Sequence, residues 1–303
     1  GDHVILSHLK GKSIHRDELN KFAPKFLDEI KNGKRAFMCS KEVTDMLTQL
    51  GCTKIKADSK YKADVSVNAH DAKTGLCPLL GFSVKSQIGA PSTLFNTSGS
   101  ALFEYEIPTL TDVSEVDEIN EVMSASDKVC LKVRVQELLR RGHELNFKGV
   151  TNEIFSANLQ LIDGDIEEIL SHLVLTFYSG KAASLDKICS IVKEENPLGY
   201  MLSKGHEFYA HKVKRFLIDN ALGMQATDVW NGQVGATGGY LIVKRSGEIV
   251  CYTLHDRNRF ENYLFERTSV VTPDNRVGVG KIEKNEEGYG YVLKIPLQVR
   301  FKK

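Results

Sequence analysis

The chain has 303 residues, 42% of them hydrophobic and 26% charged, with a formal net charge of +1. That is ordinary for a soluble globular protein of one large domain or two smaller ones, and it leaves any polyanionic partner to be met by local clusters of charge. No apolar run approaches the roughly 18 residues that cross a bilayer, and none of the six cysteines forms a C-x-x-C pair, which argues against a zinc knuckle and fits free thiols in a reducing compartment. The start, from Gly1, carries no charged-then-apolar signal pattern, so a cytoplasmic location is expected.

In chain order, Phe22, Phe26, Leu27 and Ile30 recur at helical spacing and predict a helix over 15–31, stopped at Asn32 and Gly33. Ser40 caps a second helix, from Lys41 to Leu50, closed by Gly51. Cys52 to Ala57 reads as a strand. Two further short strands lie between Tyr61 and Gly89, separated by a loop of about a dozen residues. Gly89 to Gly99 is rich in loop residues and hydroxyls, and the acids of 111–121 read as a solvated face. The middle is helical, over 133–141, 165–178, 184–195 and 206–222. Strands follow over 240–245 and 248–253 around a Ser246–Gly247 turn, then a helix near 259–265 and strands near 268–272, 279–283 and 290–301.

The two strands between Tyr61 and Gly89 carry the chemistry. Asp64 begins the first. Ser83, Lys85 and Gln87 share one face of the second, because side chains alternate along a strand. A helix and a strand, then an Asp and a Lys on successive strands, match the order of the PD-(D/E)xK nuclease core. In that reading Asp64 holds Mg²⁺ through hard oxygen, the ion polarises phosphate and activates water, and Lys85 neutralises developing charge and orients the water. Ser83 stands where the pattern wants an acid. The second anionic ligand is then sought elsewhere, with Glu42 and Asp71 as candidates and Gln87 as a neutral carbonyl ligand.

Three patterns are set aside. His206 and His211 are five apart, about 140° around a helix, and cannot share a metal as an i, i+4 pair does. Asp163 to Glu168 resembles a calcium loop but lacks its central Gly. Gly232, Gly235, Gly238 and Gly239 precede a strand rather than linking strand to helix, so they read as a turn or a close backbone approach. Basic residues gather at Lys132, Arg134, Arg140 and Arg141, at Lys204 to Arg215, and at Lys294, Arg300, Lys302 and Lys303. Each gathering suits either water or phosphate contacts. Arg257, Arg259, Asn275 and Arg276 lie in loop-prone stretches, and Arg and Asn are side chains that read base edges bidentately.

Lys62-Ala-Asp-Val65, the run from Gly81-Phe-Ser-Val-Lys-Ser-Gln to Leu94, Asn196-Pro-Leu198, Gly238 to Lys244, Thr272-Pro273 with Arg276, and Leu297-Gln-Val-Arg-Phe301 together resemble the HpaII-type family of type II restriction endonucleases, over about Lys41 to Phe301. The Gly81–Leu94 run and the closing run are the specific ones. The resemblance implies Mg²⁺-dependent cleavage of double-stranded DNA at a short palindrome such as CCGG, beside a DNA cytosine methyltransferase that protects the host, by a protein acting as a homodimer or in two monomer events. It also implies that Ser at the acid position is a family feature. Thr272 to Arg276 departs from the Ser-rich run expected after Thr-Pro, which leaves the target sequence open.

The expected fold is α/β: a restriction-endonuclease-like core near 36–110, a central mixed sheet flanked by helices, with an added helical segment and C-terminal β elements. The expected division is 1–125 for the N-terminal helices and core, 126–235 for a helical segment gripping DNA and 236–303 for β-rich recognition, or one continuous domain. Expected catalytic residues are Asp64, Lys85, Ser83 and Gln87. Asp64, Gln87 and Glu42 are the expected metal ligands, and Ser86, Ser92, Thr93, Lys212, Arg257, Asn275 and Arg276 the expected DNA contacts. An inactive sequence-specific DNA-binding protein and a structure-specific repair nuclease on the same core are the alternatives.

Overall fold

The computed structural model describes residues 3–6, 12–32, 40–52, 62–68, 73–88, 90–97, 101–121, 130–253, 256–273, 280–285 and 290–302. The expected strand from Cys52 to Ala57, with Asp71, Asn275 and Arg276, falls largely or wholly outside them.

The first elements follow the sequence closely. Strands β1 (His3–Leu6) and β2 (Lys12–His15) form an antiparallel pair ahead of α1 (Arg16–Asn32), which accommodates Pro24. Helix α2 (Lys41–Gln49) is capped as expected, with the Ser40 hydroxyl accepting from the Val43 amide at 3.3 Å. β3 (Val65–Asn68) and β4 (Leu79–Ser86) then form an antiparallel hairpin, with Val65 opposite Phe82.

Next come β5 (Thr93–Asn96), β6 (Phe103–Glu106), α3 (Val113–Glu121), α4 (Cys130–Arg140) and β7 (Asn146–Val150). Here the sequence expectation needs correcting. The hydroxyl-rich stretch after Gly89 contains a strand that pairs with β13, and its Leu94 and Phe95 are buried in the core, Phe95 against Phe155 and Phe216. The acidic run is a solvated face as expected, with Asp112, Asp117, Glu118 and Glu121 exposed; it lies on a helix whose inner face, Val116 and Ile119, is buried, and Glu115 and Glu118 pair with Arg141 at 3.2 and 3.1 Å. The helices α5 (Glu153–Ile162), α6 (Ile166–Tyr178), α7 (Leu185–Glu195) and α8 (Phe208–Leu222) follow. α6 is the pillar of this region. It is apolar on nearly every side, packs on its helical neighbours and on β7, and its Ser171 carbonyl accepts from the buried Tyr105 hydroxyl at 2.8 Å.

The last part contains β8 (Gly239–Val243), β9 (Ile249–Tyr252), α9 (Arg257–Arg267), β10 (Thr268–Val270), β11 (Ile282–Lys284), β12 (Tyr291–Ile295) and β13 (Gln298–Phe301). The expected strand over 290–301 is two, separated at Pro296, whose missing N–H cannot serve a ladder. Gly247, at φ 88°, makes the turn between β8 and β9.

The pairing joins the beginning of the chain to its later part. One four-stranded sheet has the order β3-β4-β8-β9 and is mixed, because β4 and β8 run parallel, with Ser83 beside Tyr240 and Lys85 beside Ile242. A second has the order β11-β12-β6-β7, and β13 lies between β10 and β5 in a third. The architecture is mixed α/β. Two glycines let the strands meet. A Cβ on Gly81 would lie 2.7 Å from the Gly235 carbonyl oxygen, and one on Gly239, at φ +105°, would lie 2.0 Å from that of Tyr252. The glycine cluster before β8 is therefore a close backbone approach, as its sequence position indicates.

Candidate active site and basic cleft

Asp64 stands just ahead of β3, its backbone N–H bonded to the Phe82 carbonyl at 2.8 Å. Its Oδ2 accepts from the Val84 amide at 2.7 Å and from the Ser83 hydroxyl at 3.2 Å. Both bonds fall on one oxygen and leave Oδ1 without a hydrogen-bond partner among the described residues. Ser83 is buried and in this structure aims and holds Asp64.

Lys85 lies one strand position further along the same face, its ammonium 5.3 Å from the centre of the Tyr240 ring. Burial pulls its pKa below the ordinary lysine value, and the negative charge of Asp64 works against that fall. Lys62, two residues before Asp64, donates to the Asn220 carbonyl at 3.0 Å. Its pKa is pushed down to about 8, first by burial and then by the charge of Lys85. Two desolvated ammonium groups thus feel each other's charge, and one of them, Lys85, also feels the Asp64 carboxylate. Sequence reasoning passed over Lys62. A lysine two places from the aspartate was visible, but its partner is a carbonyl in the last turn of α8, more than 150 residues away.

The sign of the Lys62 effect on stability is fixed. The unfolded chain holds this proton up to about 10.5 and the folded one only to about 8, so between those pH values the unfolded state binds more protons and stability rises with pH. Against a Lys62→Met variant, denaturant unfolding should show the wild type gaining about 2 kcal/mol between pH 7 and pH 10. The difference cancels the opposing titration of buried tyrosines and Cys189.

Gln87 follows β4, and its amide donates to the Val243 carbonyl at 2.9 Å while its own carbonyl accepts from the Arg245 Nε at 3.3 Å. Lys85, Ser86, Gln87 and Ser92 line one side of a cavity of about 1070 Å³. Its other sides include Lys244, Arg245, Arg259, Arg267 and Lys302, with Glu266 as its one acidic side chain among the described residues. The Ser92 hydroxyl donates to the Ser86 carbonyl at 3.1 Å, fixing the bend between β4 and β5; Thr93 opens β5 opposite Arg300.

Other expected contacts lie apart from this cleft. The Lys212 ammonium is held by Asp163 at 2.5 Å and Asp165 at 3.1 Å, and Arg257 binds Glu261 at 2.6 Å along α9. Arg134 is buried and donates to the carbonyls of Gly280 and Asn120 at 2.9 and 2.8 Å. Arg140 and Arg141 both bond Glu137. In this structure each of these basic residues is engaged within the chain. Arg259 and Arg267, by contrast, line the cleft and have no ion-pair partner among the described residues. Glu42 pairs with Lys25 on α1. No three His, Cys, Asp or Glu side chains come together as a ligand cluster among the described residues. The donor set still fits a hard divalent ion, which is commonly held by one or two carboxylates, waters and the substrate's phosphates.

A desolvated ammonium lining a basic cleft, with a carboxylate close enough to act on its charge, defines a protein built to handle a polyanion. Comparison with known proteins is specific. The sequence model of the HpaII restriction endonuclease family matches residues 2–301. The type II restriction enzyme HpaII of Haemophilus parainfluenzae is 40% identical over 278 residues, 91% of this chain and 75% of that enzyme. No solved structure matches the chain. The chain belongs to the HpaII restriction endonuclease family and is a type II site-specific endonuclease.

Proposed function

We propose that this protein hydrolyses phosphodiester bonds of double-stranded DNA at a short palindrome of the CCGG kind, with Mg²⁺ as cofactor. The observation that carries the reading is the placement of Asp64, fastened through Oδ2 to Val84 and Ser83, on the strand pair whose Lys85 enters the basic cleft. Helix α2 and strands β3, β4 and β8 are read as a restriction-endonuclease-like core. The segments 1–125, 126–235 and 236–303 are read as three functional parts of one body, a view supported by the pairing of β4 with β8, β5 with β13 and β6 with β12.

Asp64 Oδ1, with the Gln87 side-chain carbonyl and a DNA phosphate oxygen, would hold the ion. When bound, Mg²⁺ supplies Lewis-acid polarisation and an acidified water. Ser83 donates a hydrogen bond to Asp64 Oδ2 and thereby keeps Oδ1 turned to its task. Lys85 places its ammonium against the scissile phosphate, where the cleft's low dielectric strengthens the attraction. Glu42 would join only by giving up Lys25. Ser86, Ser92 and Thr93 offer hydroxyls to the DNA backbone. Lys212, Arg257, Asn275 and Arg276 remain candidates for contacts with bases or phosphates made in the complex. A cytoplasmic site, a homodimer on a two-fold target and a cytosine methyltransferase acting on the same sequence complete the proposal. Among the described residues no helix is long and apolar enough to cross a membrane.

The test is to digest a DNA of known sequence with Mg²⁺ and sequence the ends, with and without prior cytosine methylation. Ends at one palindrome, absent after methylation, are expected; ends scattered without regard to sequence would refute the specificity. For the grip, Arg259→Ala and Arg267→Ala should each weaken target and non-target binding alike and lower the salt-dependence slope by about one, read by titration at several salt concentrations.

A further inference from the structure

The cleft holds more than cations. Tyr252, Tyr263 and Phe301 line it beside Lys85. The rings of Tyr252 and Tyr263 are stacked, with centroids 4.2 Å apart and planes at 24°. Tyr252 is also near-parallel to Phe260, at 6.2 Å, and Phe260 is fully buried. A column of rings therefore runs from the core to the half-buried Tyr263, where Phe301 stands 6.1 Å away. Asn262, on the same wall, gives its Oδ1 to the Lys214 ammonium at 2.7 Å, which leaves its amide N–H groups as donors.

Phosphate binding alone uses none of this. A base inside a duplex has both faces covered by its neighbours, so an aromatic face gains little from paired DNA. An unstacked base offers a bare face, and stacking on an aromatic side chain is then a main source of binding. The cavity is large enough for a nucleotide, and Lys244, Arg245 and Arg259 around it suit the flanking phosphates. Resting on the nuclease reading above, we propose that the cleft takes one base of the target swung out of the helix, stacked on Tyr263, with the Asn262 amide donating to an acceptor on its edge.

The test uses the whole protein, with Ca²⁺ replacing Mg²⁺, and a set of target duplexes. In each, the partner of one base is replaced by an abasic analogue, so that base starts unpaired. Extrusion from a normal duplex must overcome a pairing cost that such a duplex lacks. Affinity should rise about tenfold at one position of the target over the intact duplex, and fall or stay level elsewhere. A Tyr263→Leu variant, which keeps bulk and loses the ring, should bind the intact duplex about tenfold more weakly, and Tyr263→Phe should bind as the wild type does. No position with a gain, or intact-duplex affinity unchanged in Tyr263→Leu, would overturn the proposal while leaving sequence-specific cleavage untouched. An intact target neither bound nor cut would instead remove the nuclease reading, and this proposal with it. The wild-type series decides the matter even if the leucine variant does not fold.

Discussion

Asp64→Asn should cut its target about 10³-fold more slowly than the wild type, or not measurably, while remaining folded and binding DNA. The size follows from what the carboxylate holds in the proposed mechanism, since metal polarisation of a phosphate contributes several kcal/mol. The clean separation from folding follows from the bonds. An amide oxygen can still accept from the Val84 amide and the Ser83 hydroxyl, so the start of β3 keeps its fastening. Removing a negative charge from the edge of a basic cleft should also leave divalent-free DNA binding equal or tighter. Single-turnover cleavage with a binding titration checks both halves. Wild-type cleavage by this variant would sink the assignment of Asp64 as metal ligand.

Lys85→Met is the second large effect, and here loss of activity should come without loss of stability. Losing the cationic donor should slow cleavage by about 10²–10³-fold, comparable to removing a donor aimed at transition-state charge. Methionine keeps an unbranched apolar stem against Tyr240 and removes an ammonium that burial already penalises. The variant should therefore be at least as stable to denaturant as the wild type. A marked destabilisation would mean that Lys85 serves the fold rather than the reaction. In the proposed mechanism, lysine at this position would trade stability for function.

The hairpin was legible, and the shared face of Ser83 and Lys85 with it, because a strand's two-residue period needs no tertiary information; Gln87 lies just beyond the end of β4. The helices were legible through spacing and caps, Ser40 included, and the β8–β9 turn through Gly247. β5 was not, because its two buried residues sit among hydroxyls and its partner strand lies about 200 residues away. Charge was the least legible property. Arg134 and Arg259 are alike as letters, yet one is buried under Gly280 and Asn120 and the other lines the cleft. Arg257 and Arg259 are two apart on α9, about 200° around it, and only the first reaches Glu261. Ser83 presented itself as a missing acid, and only the structure gives it a bond to Asp64.

The cleft is also assembled late. Its lining joins Lys85 and Ser92 to Arg245, Tyr263 and Phe301, and Phe301 belongs to β13, which pairs with a strand about 200 positions upstream. Contacts that span so much chain form slowly, after local ones. During synthesis there is thus an interval in which the Asp64 hairpin can exist but the surface that would present DNA to it cannot. On the proposed function, a partly made chain would carry Asp64 and Lys85 without the cleft that engages DNA, so the topology itself would delay the hazard until β13 has joined β5.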